Sequence, residues 1–71
     1  MTRDLDLTKV QTLEDCNFKI EEYLLKFETD DRIYVKTFQR VYLHGSFIHY
    51  LYNGMECATL DEVKNEIHKR S

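Results

Sequence analysis

The sequence predicts a small α+β domain of order α-β-β-β-α, a three-stranded antiparallel meander with an N-terminal and a C-terminal helix on one face of the sheet. Three observations carry this expectation. Helix-start signals at Thr12-Leu13-Glu14-Asp15 and Thr59-Leu60-Asp61-Glu62 each lead into apolar residues spaced three and four apart. Between them lies a run of β-branched and aromatic residues, punctuated by His44-Gly45 and Asn53-Gly54. The chain has 71 residues, 42% of them apolar, with two Gly and no Pro, which is material for one core and no more. Residues 12–71 are expected to form that single domain.

Taken in order, residues 1–11 alternate Leu5 and Leu7 with Asp4 and Asp6, the pattern of a short edge strand or of an N-terminal arm. A helix over 13–27 gathers Leu13, Cys16, Ile20, Tyr23, Leu24 and Phe27 on one stripe, leaving Phe18 and Leu25 off it. Strands are expected near 32–43, 46–52 and 55–58, because Asn-Gly suits a type I′ hairpin turn. A helix over 31–44 also fits the spacing, with Gly45 to end it. The last helix, 60–70, has Leu60, Val63 and Ile67 as its stripe and ends on Lys69 and Arg70, which suit the helix dipole. This order resembles the double-stranded-RNA-binding domain in topology and length. Where that family carries a glycine- and lysine-rich entry to its last helix, this chain has Cys57-Ala58-Thr59-Leu60-Asp61-Glu62, so no binding residue is carried over.

Charge is distributed unevenly. Residues 1–31 hold nine acids against four bases, and no acid occurs between Asp31 and Glu56, where six of the nine aromatics lie. On a strand over 32–43, odd positions give Ile33, Val35, Thr37, Gln39, Val41 and Leu43, the expected seat of both helices. Even positions alternate base and aromatic. With Phe47 paired to Tyr42, they extend into a face of Arg32, Tyr34, Lys36, Phe38, Arg40, Tyr42, Phe47 and His49, expected to be uncovered and to bind a partner. In this register Tyr50, Tyr52 and Cys57 belong to the odd face.

Several function classes find no support. The longest apolar run is Tyr23-Leu24-Leu25, far short of the roughly 20 residues of a membrane span. The acidic start matches neither a secretory signal nor a mitochondrial presequence, so a cytoplasmic location is the expectation, with no membrane partner. Cys16 and Cys57 have no zinc or disulfide spacing and read as buried free thiols. His44-Gly45-Ser46 reads as a turn and Asp30-Asp31 as a solvated turn. No metal, cofactor or catalytic constellation emerges, and an enzyme is not expected.

The function expected from the residues is that of a non-catalytic binding module, a small regulator, adaptor or inhibitor that touches a protein partner through the aromatic and basic face. The same face suits single-stranded nucleic acid, with rings for bases and cations for phosphates. Three cations on one strand give a log-log salt slope of only about −2, a modest electrostatic contribution, so the protein partner ranks first. Tyr34, Phe38, Tyr42 and Phe47 together also suggest a homodimer through this face.

Overall fold

Alternation rather than helical periodicity governs residues 3–28. The computed structural model, which describes residues 2–69, has one five-stranded antiparallel sheet in chain order and one C-terminal helix. The strands are β1 (Arg3–Asp15), β2 (Phe18–Glu28), β3 (Ile33–Leu43), β4 (Ser46–Tyr52) and β5 (Met55–Cys57), followed by α1 (Leu60–Lys69). The helix expected over 13–27 is absent. Its place is taken by the end of β1, a turn at Cys16 and Asn17, and β2.

The reason lies in Leu25, one of the two residues that did not fit the helical stripe. As a strand, β2 sends Tyr23, Leu25 and Phe27 to one face, and Leu25 and Phe27 become fully buried core residues. A helix would have left Leu25 outside. The first helix-start signal is used by the turn instead, where Asp15 Oδ1 accepts the Cys16 N–H at 2.8 Å. Pairing also decides the outcome, because β2 matches β3 over eleven consecutive residues, from Phe18 opposite Leu43 to Glu28 opposite Ile33. Without β2, this side of β3 would be a long unpaired edge. Residues 3–11 are strand as well, pairing with β2 across two irregularities, at Leu5 and at Val10.

From β3 onward the elements lie near their expected bounds. Both tight turns have positive φ at both central residues, His44 and Gly45 (53° and 80°) and Asn53 and Gly54 (52° and 83°), as type I′ hairpins require. The register, however, departs from expectation. Tyr42 opposes Phe47, but Val41 opposes His49 and Arg40 opposes Tyr50, because β4 bulges at Ile48. A one-residue slip reverses which face each later side chain occupies. Tyr50, Tyr52 and Cys57 therefore join the even residues of β3, and His49 and Leu51 go to the opposite face.

This slip places most large apolar side chains on the even face, and α1 packs there, not on the odd face. The core is Leu25, Phe27, Phe38, Tyr52, Cys57, Val63 and Ile67. Thr59 caps the helix by accepting the Glu62 N–H, and Glu62 reaches back to the Ala58 N–H. Asp4 ties α1 to β1 through Lys64 at 2.9 Å, and His68 Nε2 lies 3.5 Å from the same carboxylate. With the N-terminal helix gone, the topological resemblance to the double-stranded-RNA-binding domain no longer holds. Cys57 is buried as expected, whereas Cys16 is exposed at the β1–β2 turn; both are free thiols.

Candidate binding surface

A ten-residue helix is about 15 Å long, whereas the eleven residues of β2 or β3 extend about 36 Å. One end of the even face is therefore covered and the other is not. At the covered end Phe38 is 1% exposed, and it stacks on Tyr23 with ring centroids 5.6 Å apart. Tyr34 stacks on Phe27 at 5.3 Å, with Arg32 and Lys36 over its own ring at 5.6 and 5.9 Å. Of the eight residues expected to bind, Phe38 is thus core, and Tyr34 leans on the core. His49 lies on the other face, 3.9 Å from Glu56.

The uncovered end brings together Arg40, Tyr42 and Phe47 with four residues that the sequence reading left out: Lys19, Glu21, Tyr23 and Tyr50. Arg40 is the centre. Its guanidinium carbon lies 5.4–5.8 Å from the ring centroids of Tyr23, Tyr42, Phe47 and Tyr50, within cation–π range of all four. The rings also contact one another edge to face, Tyr42 with Phe47 at 5.9 Å and Phe47 with Tyr50 at 5.0 Å. Lys19 sits over Tyr42 at 4.8 Å, so that ring carries two cations of the chain itself.

Glu21 supplies the counter-charge. It is 8% exposed, accepts the hydroxyls of Tyr42 at 3.1 Å and Tyr23 at 3.2 Å, and lies within 4.0 Å of Lys9, Lys19 and Arg40. Burial pushes its carboxyl up, but the two hydroxyls and the neighbouring ammonium groups outweigh burial and hold it below the ordinary value. Tyr42 moves the other way, raised by burial and by its bond to the Glu21 carboxylate. The result is a fixed patch in which Lys9, Lys19 and Arg40 keep 51, 41 and 34% of their side chains exposed around one buried acid. Lys9 and Tyr23 could have been found from the strand alternation of β2 and its partner; Tyr50 depended on the bulge at Ile48 and could not.

The larger concavities are open grooves. One of about 320 Å³ joins the β1–β2 and β3–β4 turns and contains Cys16 and His44; another of about 500 Å³ runs beside Val35, Thr37 and Gly54. Among the described residues, no three His, Cys, Asp or Glu side chains converge as metal ligands do, and no helix is long and apolar enough to cross a membrane. Comparison of the chain with protein-family models, with curated proteins and with solved structures found no match.

Proposed function

We propose that the chain is a non-catalytic binding module whose uncovered aromatic and basic patch captures an acidic segment of a protein partner. The observation that carries this reading is the Arg40 cluster. Tyr and Arg are the residues that dominate interface energetics, and here they are held in place by one another before any partner arrives, which lowers the entropic cost of binding. Three partly exposed cations against one buried acid leave a positive excess that favours a carboxylate-bearing ligand, and Phe47 offers an apolar anchor beside them. Two unpaired cysteines fit a reducing compartment such as the cytoplasm.

Single-stranded nucleic acid is the weaker reading. Base stacking needs an open ring face, and Tyr42 already carries Lys19 and Arg40, while Tyr50 and Phe47 are turned edge to face.

The test is a selection of displayed 12-residue peptides against the unaltered chain, followed by calorimetric titration of the best peptide. The expected result is enrichment of Asp and Glu flanking an apolar residue, with affinity weakened at least tenfold by Lys19→Glu or Phe47→Ser and unchanged by Thr37→Ser on the opposite face. Peptides without acids, or indifference to Phe47→Ser, overturn the reading. Tight binding of a 12-nucleotide thymidine oligomer at physiological salt overturns it in favour of nucleic acid.

A further inference from the structure

The face of the sheet opposite α1 carries no second layer among the described residues. Near the β1–β2 turn, Leu13, Phe18 and Leu43 are 59, 45 and 39% exposed; at the far end Ile33 and Val35 are 56 and 53% exposed. Between these two apolar ends runs a polar row, in which Glu22 accepts hydrogen bonds from Gln11 at 3.0 Å and from Gln39 at 3.2 Å. Monomers rarely leave so many apolar residues of one sheet face uncovered. We infer that this open face is the interface of a symmetric dimer, its occupant a second copy of the same chain.

Area supports that occupant. Each strand residue covers about 16 Å² of sheet plane, from a rise of about 3.3 Å and a strand spacing of about 4.8 Å. With β1 facing β4 and β2 facing β3 of the second copy, the 42 residues of these four strands present at most roughly 670 Å², somewhat below the ~800 Å² that each partner contributes to a standard interface. The molecule, 44 × 20 × 15 Å, is broad and thin, as one sheet with a single covering helix would be.

Self-complementarity supports it too. A two-fold axis along the strands, midway between β2 and β3, lays each β2 residue over the β3 residue that it already opposes within its own sheet. Phe18 then meets Leu43 of the partner subunit, whereas Val41 of the same face is already buried within its own sheet at 6% exposure. In the polar row Glu22 lies over Gln39 of the partner subunit, each already satisfied by the same partner type within its own sheet. Aligned sheet packing within about 30° permits this arrangement.

The experiment is sedimentation equilibrium of the full chain from 5 to 500 μM. The expected mass rises toward twice 8.6 kDa across that range. Phe18→Lys combined with Leu43→Lys should weaken association at least a hundredfold, whereas Phe47→Ser on the other face should leave it unchanged. That contrast separates this interface from the Arg40 patch. A second readout needs no substitution: the methyl signals of Val35 and Leu43 should lose broadening by a soluble gadolinium chelate as concentration rises, while the Phe47 ring does not. A monomer at 500 μM, a dimer that survives the paired lysines, or equal chelate broadening at both concentrations overturns the inference.

Discussion

Phe38→Ala tests the placement of the helix more directly than any other single change. Phe38 is 1% exposed, stacked on Tyr23 at 5.6 Å and edge-on to Tyr50 at 6.0 Å. Truncating a buried Phe to Ala costs about 3–5 kcal/mol in lost transfer energy and residual cavity. A domain of 71 residues has a stability of roughly 4 kcal/mol at the low end of the usual range per residue. A loss of about 3 kcal/mol would then raise the unfolded fraction from about 0.1% to about 15%, and a loss of about 4 would bring the chain to its midpoint without denaturant. The neighbouring Thr37 is exposed on the opposite face, and Thr37→Ala should cost under about 1 kcal/mol. Urea titrations followed by far-ultraviolet circular dichroism measure both. If the two variants lose the same stability, or if Phe38→Ala costs less than about 1 kcal/mol, the helix does not cover the even face and the reasoning fails.

Three further outcomes are expected. A water-soluble alkylating reagent should modify Cys16 in the native protein and Cys57 only in denaturant, since burial and the nearby Glu62 and Glu66 raise the Cys57 thiol; mass mapping that finds Cys57 modified first would contradict the core. Because the Glu21 carboxyl is lowered in the fold, its stabilisation is complete above the unfolded value of about 4.3 and fades as pH falls through the lower folded value. Glu21→Gln should therefore lower the urea midpoint more at pH 7 than at pH 3, and an equal effect at both would remove the carboxylate from the patch's support. Gly54→Ala should cost about 1 kcal/mol or more by thermal melting, although a Cβ there meets no atom within 4 Å, because the cost lies in its φ of +83°; an unchanged melting temperature would argue against the type I′ turn.

The elements after Gly45 were legible because their signals are local, whereas residues 31–44 fitted a helix as well as a strand. Asn53-Gly54 favours a turn whatever surrounds it, and Thr59 with Glu62 caps a helix from within four residues. The stretch before Asp31 was ambiguous, since Leu13, Ile20, Leu24 and Phe27 satisfy a helical period while Tyr23, Leu25 and Phe27 satisfy a strand period. Only the eleven-residue pairing of β2 with β3, a contact between distant parts of the chain, decided between them. The candidate site shows the same division. The alternation of base and aromatic along β3 was visible in the sequence, and Arg40, Tyr42 and Phe47 do lie together, but which face the helix covers depended on a single bulge at Ile48. Composition and turn chemistry act over a few residues and can be read directly. Strand register and the choice of buried face follow from the summed burial of side chains drawn from several strands, and that sum exists only once the chain has folded.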